Sequence, residues 1–218
     1  MSRVGPEDAA GFVLAGGRSS RMGTDKALVA FAGEPLIARA VRLLRDCGLE
    51  AAIAGARSEL SGFAPVIEDR EPDQGPLGGV CAALASTSAR WALFVSIDLP
   101  FLPVSLLVYL LRHARLAGSP VTLASVNAFP QTFPAVVRRD LLPHLEGELA
   151  RGQRGCFAAF RAAAAKLREP LALVPGELLA QAGQVTHPAG LPASEWFLNM
   201  NTPEELRRAQ ELATHPIG

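Results

Sequence analysis

Short apolar, β-type runs at residues 11–15, 51–54, 65–68 and 91–96 alternate with helical patterns at residues 35–47 and from Val80 onward. Strands this short, separated by helices, bury both faces only by lying side by side with right-handed crossovers between them. The expected class is therefore α/β, a three-layer α/β/α arrangement around a mostly parallel, Rossmann-like sheet. Pro35 suits the first turn of a helix and Gly48 the position just past its end. Further helices are expected at 105–116, 143–150 and 156–165, strands at 121–125 and, antiparallel to it, 132–137, and an extended piece at 171–174. Residues 175–195 dissolve into Gly, Pro, Ala and Gln and read as an irregular connection. A last short strand is expected at 196–200, and Thr202-Pro203-Glu204-Glu205 then supplies an N-cap, a first-turn proline and a capping-box glutamate. Without repeats or a sharp break in composition, residues 1–218 read as one domain.

Lys and Arg number 21 and so do Asp and Glu, so no global field draws the protein to nucleic acid or an anionic membrane. Any bound anion must be held locally. Cys47, Cys81 and Cys156 lack CxxC spacing, which argues against a disulfide framework or a zinc site and for a reducing compartment. Glu7 and Asp8 precede Gly16 with only a few apolar residues between, unlike a signal peptide. The most apolar stretch, 99–111, is interrupted by Pro100 and Pro103 and is far shorter than the roughly 20 residues that span a bilayer. A soluble, cytoplasmic protein is expected.

The first apolar run ends in residues 14–26, LAGGRSSRMGTDK. Loops at the carboxyl ends of parallel strands are where open α/β sheets bind phosphates. Gly16 and Gly17 lack Cβ, which lets backbone N–H groups close around phosphate oxygens, while Arg18, Arg21 and Lys26 add positive charge. A nucleotide-binding loop after the first strand is the result. A Walker A loop is excluded, because Gly23 is followed by Thr24-Asp25-Lys26, and GxGxxG is absent. A glycine turn with solvated arginines is the competing reading; three cations beside the glycine pair weigh against it.

The same stretch resembles the signature of the molybdenum cofactor guanylyltransferases, within the nucleotidyltransferases that also include cytidylyltransferases. Val66-Ile67-Glu68-Asp69, Gly75-Pro76-Leu77-Gly78-Gly79, the run from Ser96 through Asp98 to Pro103, and the run from Phe197 through Asn201 to Leu206 are similar to that family's later motifs, in the same order. The resemblance implies nucleotide contacts from Leu14, Ala15, Gly16, Gly17, Lys26, Asp69, Gly78 and Asp98. It also implies catalytic roles for Arg21, Lys26 and Asp98, with Asp98 as the ligand for Mg²⁺. Taken alone, Asp98 ends an apolar strand and reads equally as a helix N-cap or a cation ligand. Asp69 could accept from guanine's edge or stand as a solvated loop acid, and residues 75–79 could be a plain turn or a helix N-terminus approaching the nucleotide. Asn199 and Asn201 would point the same way off the last strand. The resemblance sets Asn201 near metal and acceptor, and Gln131 and Arg154 toward the acceptor. Arg138, Arg139 and Arg151 are further basic candidates there, equally explained as solvated.

Two departures stand out: Arg154-Gly155 where relatives often carry paired arginines, and Ala54-Gly55 where many carry Asn. The implied activity is Mg²⁺-dependent transfer of GMP from GTP to the phosphate of the molybdopterin molybdenum cofactor, with release of pyrophosphate. The N-terminal half would hold the nucleotide and the C-terminal half the acceptor, with molybdoenzyme maturation proteins as further partners. Leu-Ala-Gly-Gly rather than Leu-Ala-Ala-Gly favours GTP over CTP. A CTP-using relative and a non-catalytic cofactor-delivery protein are the alternatives. His113, His144, His187 and His215 show no metal or triad spacing, and no Ser or Cys has an evident partner base, so no covalent intermediate is indicated.

Overall fold

The computed structural model of the chain describes residues 8–15, 25–55, 57–68 and 74–214. It runs β1 (Ala9–Leu14), a hairpin of β2 (Ala30–Phe31) and β3 (Glu34–Pro35), α1 (Leu36–Asp46), β4 (Ala51–Ala54), β5 (Val66–Ile67), α2 (Gly75–Ser86) and β6 (Trp91–Ser96). There follow α3 (Val104–Ala117), β7 (Val121–Val126), β8 (Phe129–Arg138), α4 (Leu142–Ala150), α5 (Cys156–Leu167), β9 (Ala172–Pro175), α6 (Gly176–Gln181) and α7 (Pro203–Thr214).

Among the described residues, seven strands form one sheet in the order β5-β4-β1-β6-β8-β7-β9. β5, β4, β1 and β6 are mutually parallel, with Leu14 opposite both Ala54 and Ser96. Their carboxyl ends therefore share one edge. β8 runs antiparallel to β6 and β7, and β9 is parallel to β7. From β1 the chain steps outward to β4 and β5, then returns to β1's other side at β6. The strand order reverses there, which opens a crevice beyond the ends of β1 and β6.

β6 shows why this sheet is covered twice. Trp91, Leu93 and Val95 join one apolar cluster and Ala92 and Phe94 the other, the pattern of a strand buried on both faces. Phe94 stacks on Phe12 of β1 with ring centroids 5.4 Å apart. α1 presents Leu36, Ile37, Ala40, Val41 and Leu44 to the first cluster, joined by Leu106, Leu107 and Leu110 of α3 and Ala209 of α7. α2, α4 and α5 cover the opposite face through Leu77, Val80, Leu84, Leu145 and Phe160. The result is the three-layer sandwich. Gly48 (φ 76°) and Gly118 (φ 66°) stand just past α1 and α3 in the left-handed region, where a Cβ would strain the backbone.

Three expectations need correction. α2 starts at Gly75 rather than Val80: Pro76 occupies the first turn, where no N–H is needed, and Gly78 and Gly79 are buried helical residues. Residues 175–195 contain the short helix α6 and a single 3-10 turn at Ala193–Glu195. Residues 196–200 form no strand, so Asn199 and Asn201 share no strand face. Met200 N–H donates to the Asp98 carbonyl at 3.1 Å, two residues past the last ladder residue of β6, and among the described residues the segment packs into the first apolar cluster without joining a ladder.

Candidate active site

Lys26 opens one 3-10 turn, Lys26–Leu28, set where the chain re-enters the core. Asp25 caps that turn: its Oδ1 accepts from Ala27 N–H at 3.0 Å, and its carbonyl from Leu28 N–H at 3.0 Å. Ala27 and the stem of Lys26 are buried. From there the ammonium Nζ donates to Asp98 Oδ2 at 3.3 Å and to Asn201 Oδ1 at 2.5 Å.

Asp98 lies two residues past β6, its side chain 21% exposed. Arg39 Nε donates to the Pro100 carbonyl at 2.8 Å and so fixes the turn that follows. Asn201 is held by the capping box of α7. Glu205 Oε2 accepts from Asn201 N–H at 2.7 Å and Thr202 N–H at 2.9 Å, while Glu205 N–H donates to Thr202 Oγ1 at 3.2 Å. Three distant segments thus converge on one ammonium at the sheet's switch point.

Their chemistry suits a cation. Asp98 and Asn201 turn two hard oxygens toward one position filled by the lysine's ammonium. Among the described residues no group of three His, Cys, Asp or Glu side chains is arranged to hold a metal. A single carboxylate with an amide oxygen still fits Mg²⁺, which keeps waters and takes its other ligands from substrate phosphates.

Leu14 ends β1 and is buried. Ala15, also buried, receives Arg57 Nη1–H at its carbonyl, 3.4 Å away. Gly78 lies inside α2, its N–H directed to the Gln74 carbonyl at 3.4 Å. Gln131 bonds back to the Phe129 carbonyl at 3.2 Å within its own hairpin. Arg154 donates to the Leu149 carbonyl at 2.8 Å, and its Cβ lies 3.5 Å from where a Cβ on Gly75 would stand, against the start of α2. Neither Gln131 nor Arg154 joins the Lys26 cluster. Gly16, Gly17, Arg18, Arg21, Asp69 and His215 lie outside the described residues. His113 stacks on Tyr109, and burial pushes the pKa of His187 down. Burial pushes the Cys156 thiol up to about 12, leaving little thiolate at neutral pH.

Sequence reading missed Arg57. It is 8% exposed, donates Nε–H to Glu59 Oε1 at 2.6 Å and pairs through Nη2 with Asp25. No local pattern announces a contact spanning 32 residues.

An ammonium and a carboxylate facing each other across the switch point of a parallel sheet belong to the class of phosphate-handling α/β enzymes. Residues 11–169 match the MobA-like NTP transferase domain, and the chain belongs to that family of nucleotidyltransferases. A molybdenum cofactor guanylyltransferase from Xanthomonas euvesicatoria is 36% identical over 91% of this chain and 92% of its own length. One from Vibrio cholerae is 31% identical over 97% and 95%. The fold is similar to that of molybdopterin-guanine dinucleotide biosynthesis protein A from Archaeoglobus fulgidus, with TM-score 0.74 and 23% identity over 94% of this chain and 98% of that one. No described helix is long and apolar enough to cross a membrane.

Proposed function

We propose that this nucleotidyltransferase moves GMP from GTP to the phosphate of the molybdopterin molybdenum cofactor and releases pyrophosphate. The observation that carries the reading is the meeting of Lys26, Asp98 and Asn201 at one point beyond β1 and β6. The guanylyltransferase names of relatives that span nearly the whole chain support the choice of nucleotide and acceptor. The reading treats residues 1–218 as one domain working in the cytoplasm.

The acceptor is already an anionic nucleophile, so the barrier lies in repulsion between two anions and in charge growing on the departing pyrophosphate. Lys26 would turn its ammonium to the triphosphate and relieve both. Asp98, with Asn201 beside it, would hold Mg²⁺, whose contribution is further charge neutralisation. Backbone N–H groups at Gly16 and Gly17, with Arg21, would bind the phosphates, and Leu14 and Ala15 would contact the nucleotide beside them. Asp69 and Gly78 would contact the nucleoside, and Gln131 and Arg154 the acceptor.

The test incubates the protein with Mg²⁺, the molybdenum-loaded pterin cofactor and either GTP or CTP, and follows pyrophosphate and the dinucleotide product. Turnover with GTP is expected, and Lys26→Ala and Asp98→Ala should each lower it by about 10²-fold or more, as loss of a preorganised electrostatic group does. Absence of pyrophosphate overturns the transfer reading, and preference for CTP overturns the choice of nucleotide. A folded Asp98→Ala protein of near-wild-type rate removes the metal assignment.

A further inference from the structure

We propose that Arg57 is a positioning residue of the nucleotide site: its guanidinium fastens Ala15 to Asp25, the two ends of the glycine- and arginine-bearing segment, and so sets where Lys26 stands. The inference rests on the reading of Lys26 as a phosphate-binding group.

The argument begins with burial. A guanidinium removed from water needs its donors satisfied, or it costs several kcal/mol. Arg57 meets this with three acceptors: the Ala15 carbonyl, the Asp25 carboxylate and the outer carboxylate of Glu59. Two of them bracket residues 16–24. Ala15 is the first residue past β1, and Asp25 is the residue before Lys26.

Asp25 is divided between two partners. Oδ2 faces Arg57, and Oδ1 accepts from Ala27 N–H at 3.0 Å. Holding one oxygen orients the other, and the cap in turn fixes the turn from which Lys26 reaches Asp98. Arg57 itself is anchored at the sheet's edge: its N–H donates to the Gly55 carbonyl at 2.8 Å, and Gly55 N–H to the Ile67 carbonyl at 3.0 Å. The clasp therefore ties the β4–β5 edge to the switch point and holds Ala15 and Asp25 to one guanidinium before any nucleotide arrives. The planar fork suits three acceptors in different directions, which a lysine's compact ammonium on a flexible stem does not.

The experiment compares the wild type with Arg57→Met, Arg57→Lys, Asp25→Asn and the Arg57→Met/Asp25→Asn pair. It measures kcat and KM for GTP, normalised to folded protein, alongside amide hydrogen exchange at Ala27 and Leu28. Arg57→Met and Asp25→Asn are each expected to lower kcat by about tenfold or more, since small misplacements of a positioned group cost that much. The double variant should fall little below either single one, because both act through one contact, and Arg57→Lys should recover part of the loss. Exchange at Ala27 and Leu28 should rise in Arg57→Met. Unchanged kcat per folded molecule, or losses that multiply in the double variant, overturns the proposal, because a merely structural arginine lowers Tm without either signature. Should Arg57→Met not fold, Asp25→Asn decides: unchanged kcat and unchanged exchange at Ala27 refute the clasp. A wild type that releases no pyrophosphate refutes the functional reading instead, and exchange at Ala27 still reports on the clasp.

Discussion

Asp98 and its two partners owe their places to different physics. Asp98 rides on the end of β6, whose residues Trp91, Ala92, Leu93, Phe94 and Val95 are at most 2% exposed, packed by helices on both faces. Lys26 and Asn201 stand on short turns and are held by polar clasps, Asp25 with Arg57 for the one and Thr202 with Glu205 for the other. Apolar packing places a whole strand end at once and fails only with the sheet. A clasp places one residue and can be opened while the sheet persists.

The apolar side of the contrast breaks most expensively. Phe94→Ala should cost about 3–5 kcal/mol, because the ring leaves a cavity beside Phe12 that a two-faced sheet cannot collapse to fill. Chemical denaturation measures it. A loss under about 1 kcal/mol would mean that packing at Phe94 is not what secures β6.

The polar side should separate stability from activity. Glu205→Ala removes the acceptor shared by the Asn201 and Thr202 N–H groups; the expected loss is about 1 kcal/mol, as for other caps. Turnover should fall further than so small a loss of folded protein explains, because Asn201 then drifts from Lys26. Denaturation midpoints read beside kcat test this, and a kcat that stays at the wild-type value would leave Asn201 outside the chemistry.

The same contrast governs what could be read from the chain. β4 and β6 match the expected runs at both ends because their apolar residues answer to burial alone. The capping box was equally legible, since Thr202 and Glu205 act within one turn. Lys26 was legible as a cation in the loop after the first strand and Asp98 through the resemblance of its motif, and the sheet's crossovers bring them together. Residues 196–200 misled: Trp196, Phe197, Leu198 and Met200 are as apolar as a strand, yet they pack against the cluster as irregular chain. The hairpin of β2 and β3 is two residues a side, too short for any period to show. Arg57 was out of reach because Ala15 and Asp25, the partners that matter to the site, lie across the fold.

The smallest effect belongs to a clasp on the open surface. Glu34 at the foot of α1 receives Arg42 and Arg39, and the Arg42 hydrogen bond, aided by the charges of both arginines, outweighs partial burial and holds its carboxyl below the usual glutamate range. A carboxyl depressed on folding adds stability above its unfolded value, and that stability disappears as pH falls through the folded one. Glu34→Gln should therefore lower Tm slightly at neutral pH, with the gap to the wild type closing below about pH 4 to 5. With Arg42 about half exposed the contribution stays under about 1 kcal/mol. Arg39 also grips the Pro100 carbonyl beyond Asp98, so this surface clasp has a line to the site. Tm curves for the two proteins that stay parallel from neutral to acid pH would show that the Glu34–Arg42 clasp adds nothing to stability, and that the turn beyond Asp98 is placed by β6 and its packing without help from this pair.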